Sequence, residues 1–290
     1  MELPYPDPTL YAIPFFVLTL VGETWLLARW KKAGRSVVGY ELRDTLASLA
    51  MGLGSVFVVS VINLTTFACA TFLTRWRIAD LGEGCLAWAV ALVGWDFSFY
   101  WHHRFEHENR LLWACHVNHH SSQHYNLSTA LRQPWTPFAT IVFYAPWALV
   151  GVRPWLVLVS GGLNLVYQYW IHTEVIRSMP KWFSFVFNTP SHHRVHHASN
   201  PQYLDKNYGG VLILWDRLFG TFVPEDLPVV YGLTKNITSH NPFVIAFHEY
   251  AAIARDLRDA NGLYDRLGIL WHGPAWRAPS LVGTSARRTE

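Results

Sequence analysis

Five long apolar stretches, roughly Leu10–Arg29, Thr45–Leu73, Cys85–Trp101, Pro137–Val150 and Trp155–Ile171, limit the folds open to this chain more than any other feature. About 20 consecutive apolar residues suffice to cross a bilayer as a helix, which satisfies every backbone N–H and C=O within the segment. Composition agrees: 51% of the 290 residues are hydrophobic and only 15% are charged, against about a quarter charged in soluble domains. The expected fold is an all-α integral membrane protein with about four to five membrane segments and a cytoplasmic, histidine-rich helical cap. The fourth stretch is short and Arg153-Pro154 separates it from the fifth, so this pair either spans fully or forms a partly re-entrant hairpin.

Charge sets the expected orientation. The flank before the first stretch carries Glu2 and Asp7 but no Lys or Arg, unlike the basic start of a signal peptide. Arg29, Lys31, Lys32, Arg35 and Arg43 follow it, and a positive cluster marks the cytoplasmic side. The polar stretch His102–Arg132 then also falls on that side, at a bacterial inner membrane or endoplasmic reticulum. Glu23 and Asp96 lie within apolar stretches. At mid-membrane each would cost about 2.5–3.5 kcal/mol, so both are expected near a segment end or facing the bundle interior.

Other classes find little support. The formal net charge is +3 without a Lys/Arg run, which argues against a nucleic-acid partner. Cys69, Cys85 and Cys115 are odd in number and show no CxxC spacing, so they read as buried small apolar residues. HExxH and Walker A motifs are absent, and Gly52 and Gly54 make only a fragment of GxGxxG. Beyond Pro224 the chain reads as soluble. Helical spacing over Pro242–Asp259 suggests an amphipathic helix on the cytoplasmic membrane surface, and residues from Pro279 read as a disordered tail. Three regions result: N-terminal membrane helices over 1–84, a histidine-rich catalytic domain over 85–225, and an amphipathic helix with its tail over 226–290.

Function is to be sought in the histidines. Of fifteen, twelve lie between His102 and His197. His103 and His107 are four apart, and His116, His119, His120 and His193, His196, His197 repeat an HxxHH spacing, so each set clusters on one side of a helix. His172 ends the fifth stretch, with Gln168 one turn before it as a further weak donor. Neutral imidazole suits zinc, copper, iron and nickel, and eight or nine donors exceed what one ion takes, so two metal ions are expected. His102 points about 100° from the His103–His107 face and is left out. His192 is a substitute or supporting ligand, while His124, His240, His248 and His272 are not expected to bind metal. Asp96 and Asp205 are candidates to orient imidazole N–H groups, with local capping the equal alternative. Tyr169 and Trp170 beside His172 line an acyl tunnel or simply sit at the membrane interface.

The order HxxxH, HxxHH, HxxHH joined by apolar hairpins resembles the fatty acid hydroxylase and sterol desaturase superfamily of membrane di-iron enzymes. Within it the chain is most similar to the alkylglycerol monooxygenase branch and its bacterial relatives, over roughly residues 90–225. The likeness is carried by Asp96-Phe97 through His107-Glu108, His119-His120-Ser121-Ser122, Tyr125 to Thr129, Thr189 to His197, and Leu204 to Gly210 through Phe219-Gly220-Thr221. The resemblance implies that His103, His107, His116, His119, His120, His172, His193, His196 and His197 hold two iron ions and carry the catalysis. It implies an O2-dependent monooxygenase that hydroxylates a lipid drawn from the bilayer. Electrons would come from a donor protein or a reduced pterin, tetrahydropterin in that branch, with Glu108 as its contact. Gln168 replaces a histidine ligand found in several relatives. Sterol desaturation and fatty acyl hydroxylation by the same superfamily are alternatives that these spacings do not separate. From other classes, a histidine-rich membrane metal transporter or sensor and a bis-histidine haem protein are the rivals.

Overall fold

The computed structural model describes residues 5–282, and among them the fold is helical, with two isolated β-bridges and no named strand. The helices are α1 (Pro8–Lys32), α2 (Leu42–Leu73), α3 (Cys85–Glu108), α4 (Arg110–His120), α5 (Thr140–Tyr144), α6 (Trp147–Val150), α7 (Pro154–Ile171), α8 (Lys181–Val186), α9 (Pro190–His196), α10 (Leu214–Phe219), α11 (Pro242–Asp259) and α12 (Gly262–Trp271). Asp7 starts α1 by accepting from the Thr9 N–H, with Pro8 at the first helical position, where a missing N–H costs nothing.

Two helices, α1 and α2, are long and apolar enough to cross a bilayer. Their outward faces carry Leu18, Leu53 and Phe57, each more than 70% exposed, a surface that water would penalise and lipid would not. The fourth apolar stretch does not form a single crossing helix. It breaks between Tyr144 and Trp147, where Pro146 supplies no N–H, and residues 140–150 reach only about 16 Å. The third and fifth stretches become α3 and α7, packed together through Ala87 and Ala91 on α3 and Leu156 and Val157 on α7.

At about 48 Å, α2 is longer than a bilayer core, and its first turns stand in the cap. There Arg132 is fully buried and donates to Asp44 Oδ1 (2.6 Å), the Asp44 carbonyl (3.1 Å), Ser48 Oγ (3.1 Å) and Ser121 Oγ (2.9 Å). Asp44 Oδ2 accepts from Ser122 Oγ at 2.6 Å. One ion pair thus joins α2, the end of α4 and the segment before α5. The glycine fragment serves this packing: a Cβ on Gly52 would stand 2.7 Å from the Leu131 carbonyl, and one on Gly54 would stand 2.5 Å from the Trp135 ring.

Glu23 is buried at a junction, where it accepts from Tyr40, Thr173 and the Leu127 N–H (2.8 Å). It ties α1 to the turn that follows α7. Tyr169 lies against α1, its ring 4.1 Å from Phe16 and its hydroxyl donating to the Phe16 carbonyl, so it closes a helix interface. Trp170 is half-buried beside Tyr167 and the Leu127–Ala130 cluster. Of the cysteines, Cys115 is buried, but Cys69 is only half-buried and Cys85 is exposed at the start of α3, so the expectation of three buried thiols fails.

The amphipathic segment is α11. It packs Ile245 and Ala246 on Ala47 and Met51 of α2, and Ile253 beside Ala114 of α4. The segment from Pro279 is not a tail at its start. Pro279–Leu281 form a 3-10 turn, Ala278 is buried against Ile253 and Ile269, and the Ser280 N–H donates to Asp265 at 2.9 Å; the remainder of that stretch, 283–290, lies outside the described residues.

Removing Asp44 strands a buried guanidinium. We expect Asp44→Ala to destabilise the folded protein by about 3–5 kcal/mol, measured by denaturant unfolding in detergent. An unchanged midpoint would show that Arg132 does not depend on its partner.

Candidate metal centre

The turn at Asn109 folds α4 back against α3. Its backbone ends α3, its side chain accepts from the Leu112 N–H at 3.0 Å to start α4, and Arg110 anchors the new helix on Glu249 (2.7 Å) and Asp256 (2.6 Å) of α11. Thr189 and Pro190 start α9 in the same manner, cap then proline. Buried Arg194 fixes α9 through both oxygens of Glu225 (2.8 and 2.7 Å) and the carbonyls of Thr173, Ile176 and Arg177.

These elements bring nine imidazoles into two adjoining groups. His103, His107, His116, His120 and His196 form one, His119, His172, His193 and His197 the other, with the donor atoms of each group within 4.8 Å of one another. They are the nine residues proposed from the sequence, but each HxxHH motif divides between groups. In α4, His116 and His120 join the five-histidine group and His119 the other. In α9 and its cap, His193 and His197 join the four-histidine group and His196 crosses over. Positions i and i+4 share a face and i+3 turns aside by about 60°, which is how one short helix serves two points.

Proton positions define what the groups can hold. The Nδ1–H of His103 donates to the Tyr208 carbonyl (2.8 Å), that of His119 to Arg132 (3.3 Å), that of His172 to Gln168 (2.7 Å) and that of His196 to Lys206 (3.0 Å). A carbonyl can only accept, so in a neutral ring the proton sits on Nδ1 and Nε2 carries a lone pair. Yet His119 Nε2 and His172 Nε2 face each other at 3.1 Å, and His103 Nε2 faces His116 Nε2 at 3.0 Å. The first pair has no proton to share. The Nε2 atoms of His107 and His196 are buried without a partner. Around a common ion at about 2.1 Å, donors at right angles stand about 3.0 Å apart, which matches the 2.9–3.2 Å separations among these nitrogens. The donor set therefore fits two cations.

Burial keeps eight of these rings neutral. It pulls His119 down to about 4 and holds His116, His120, His193 and His197 well below the usual imidazole range, with neighbouring imidazoles adding to the effect. Neutral imidazole is the form that ligates metal.

Other candidates take other places. His102 lies outside both groups, between Glu106 (3.5 Å) and Tyr144 (3.2 Å). His192, proposed as a substitute ligand, packs edge-on to Phe222 instead, because it turns away from the face shared by His193 and His197. The Gln168 amide donates to Asn164, so only its backbone carbonyl serves the site. Asp96 meets no imidazole: it accepts from the N–H groups of Val211 (2.7 Å) and Leu212 (3.0 Å), Trp215 Nε1 (2.9 Å) and Asn164 (2.8 Å). Asp205 stands 3.7 Å from His107 Nδ1. Glu108 is half exposed and pairs with Arg104 at 2.8 Å. His124, His240, His248 and His272 belong to neither group.

Sequence reasoning missed Asp216. It is fully buried and accepts from the N–H groups of Tyr208 (2.7 Å) and Gly209 (2.8 Å) and from Thr221 Oγ1 (2.7 Å). With Asp96 it pins the segment whose carbonyls hold His103 and His196. Asp205 and Asn207 adopt left-handed backbone conformations there (φ 57° each), which Asp and Asn tolerate best among residues with side chains. An acid buried by tertiary contacts leaves no periodic signal to find.

Comparisons with known proteins agree with this centre. Residues 88–221 match the fatty acid hydroxylase family model. The chain is 40% identical to human alkylglycerol monooxygenase over 93% of its own length and 60% of the relative's, and 37% identical to the zebrafish protein over 91% and 59%. It is 28% identical to ornithine lipid hydroxylase OlsE of Rhizobium tropici over 65% of this chain and 57% of that protein. The chain thus spans about 60% of the length of these animal relatives. No solved structure matches it significantly. Residues 88–221, which match the fatty acid hydroxylase model, contain all nine histidines of the two groups.

Proposed function

We propose that this protein is a membrane-bound, O2-dependent lipid hydroxylase whose nine histidines hold two iron ions. The observation that carries this reading is the facing of the unprotonated His119 and His172 Nε2 atoms in one group, which repel until a cation lies between them, together with the partnerless buried Nε2 atoms of His107 and His196 in the other. When bound, the iron pair supplies the O2 chemistry that attacks a C–H bond. The chain's own part is to keep Nδ1 protonated against backbone carbonyls, to aim each Nε2, and to exclude bulk water. His103, His107, His116, His120 and His196 would hold one ion and His119, His172, His193 and His197 the other. Domain limits of 1–84, 85–225 and 226–290 follow from this reading, with the centre in the middle region.

The depth of the centre supports a lipid substrate. Thr173, next to His172, donates to Glu23, and Glu23 stands six residues, about 9 Å, before Arg29 on α1. With the Arg29–Lys32 cluster at the cytoplasmic headgroups, the four-histidine group lies at the edge of the acyl region, where a chain can enter without leaving the bilayer. In this reading α3 and α7 complete the set of four membrane segments, the cap and centre are cytoplasmic, and α11 borders the membrane surface. The named activities of the relatives favour an alkylglycerol ether lipid as substrate, with a tetrahydropterin at Glu108 as electron donor. A fatty acyl or headgroup-bearing lipid, as for OlsE, is the second choice.

Metal analysis of detergent-purified protein tests this directly. We expect close to two irons per chain, loss of at least one in His196→Ala, and full retention in His240→Ala, with a hydroxylated lipid in extracts of producing cells that disappears in the first variant. Freshly prepared wild-type protein without metal would overturn the reading.

Acid provides a second test. The unfolded chain takes up protons on these histidines near pH 6.5, whereas the folded His119 and His192 resist protonation to about 4. Below 6.5 the unfolded state therefore binds more protons, so stability is full above that pH and falls as pH drops toward 4; metal binding competes with protons in the same direction. Bound metal and thermal midpoint should both be lower at pH 5 than at pH 7.5. Equal values at the two pH values would contradict buried, neutral ligand histidines.

A further inference from the structure

Nine neutral imidazoles bring no charge to offset the four positive charges of two divalent ions. Among the described residues, only two carboxylates come within 4 Å of these rings: Asp205, 3.7 Å from His107 Nδ1, and Glu106, 3.6 Å from His116 Nδ1. Asp205 is mostly exposed, its side chain 61% accessible, and water screens it. Glu106 is buried, with 9% of its side chain accessible; burial raises its pKa, so it supplies its negative charge when a cation is bound beside it. It lies on the last turn of α3, between the His103–His107 pair and His102.

His116 is also the ring that most needs such a partner. Its Nε2 faces His103 Nε2 at 3.0 Å and His120 Nε2 at 3.1 Å, so once Nε2 ligates an ion its proton sits on Nδ1. His103, His119, His172 and His196 each give that proton to a carbonyl, whereas His116 Nδ1 has Glu106 Oε2 before it. The other Glu106 oxygen stands 3.5 Å from His102 Nε2, and His102 Nδ1 is 3.2 Å from the Tyr144 hydroxyl, with Phe143 stacked on the ring at 4.7 Å. His102, excluded from both groups, thus has a place as the support of a buried acid.

We propose that Glu106 is the positioning residue and internal counter-charge of the five-histidine group, acting through His116 and backed by His102. Carboxylate–histidine–metal arrangements fix the ring and raise its basicity. The four-histidine group has no carboxylate in reach among the described residues, so the two metal positions differ in affinity and the five-histidine position is the tighter. The inference rests on the metal-binding reading above.

The test uses the detergent-purified full chain, stripped and reloaded with Zn2+ or Fe2+, then challenged with a graded chelator. Wild type should release two ions in two steps. Glu106→Gln keeps the shape and removes the charge, and it should release the tighter ion at about 10–100-fold lower chelator, with the thermal midpoint of the stripped protein unchanged. Glu106→Asp, which retains the carboxylate, should fall between the two. His197→Ala should lose the other ion, and the double variant Glu106→Gln/His197→Ala should retain neither under the same challenge. Two ions in wild type with unaltered release in Glu106→Gln would overturn this inference and leave the metal centre standing. Loss of both ions together with a lowered midpoint of the stripped protein would make Glu106 a packing residue only. No metal uptake by wild type would instead remove the reading on which the inference rests.

Discussion

The fold is organised around one electrostatic requirement, that lone pairs on closely packed imidazoles point at each other. Unoccupied, this arrangement is unfavourable, because the facing Nε2 atoms of His119 and His172, 3.1 Å apart, both lack a proton and repel. A chain that adopts it must hold such rings from behind. The backbone carbonyls of Arg132, Gln168, Lys206 and Tyr208 do this by fixing Nδ1 protons, and each carbonyl must in turn be held in place.

That second task explains why so many polar side chains are buried far from the rings. Arg132 presents its carbonyl to His119 while its guanidinium is locked to Asp44. Asp216 fixes the backbone of Tyr208, and Asp96 fixes the two residues beyond Gly210. Each acid accepts several N–H or O–H groups, the condition under which a buried carboxylate is tolerable. The apolar helices supply the frame: Asp96 rises from α3 and Asp44 from α2, so the same apolar segments also carry the acids that fix the polar segments beside the rings.

Much of this was legible in the chain, for a definite reason. Metal-ligand spacing on helices is a local property, and the i, i+3, i+4 pattern of His116, His119 and His120 names the donors without tertiary knowledge. The apolar runs were equally direct for α1 and α2, while the stretch at Pro137–Val150 stayed open between a full span and a partly re-entrant hairpin because hydropathy does not register the break at Pro146. Supporting residues were not legible. Asp96 reads as a candidate carboxylate for an imidazole, but its partners lie more than 100 residues away, on backbone N–H groups that carry no sequence signature. Glu106 passes as an ordinary surface residue beside Arg104 until α4 folds back over it. The same holds for Gln168, whose side chain looked like a donor and whose carbonyl proved to be the functional atom.

The division of each HxxHH motif between both groups has a mechanical consequence. Because α4 and α9 each supply donors to both points, neither metal position can shift without the other, and a small rotation of either helix would misplace donors in both groups at once. Short helices of 11 and 7 residues have little intrinsic stability, so their orientation must come from outside. Each is fixed by one buried arginine near its start or middle: Arg110 on two carboxylates of α11, and Arg194 on Glu225 with three carbonyls of the turn after α7. A guanidinium presents five donors in a rigid fork and so defines direction as well as distance, which a lysine cannot do. The pairing of a histidine-bearing helix with a multiply bonded arginine is therefore part of the proposed metal centre, and α11, which supplies no donor to either group, belongs to it through Glu249 and Asp256.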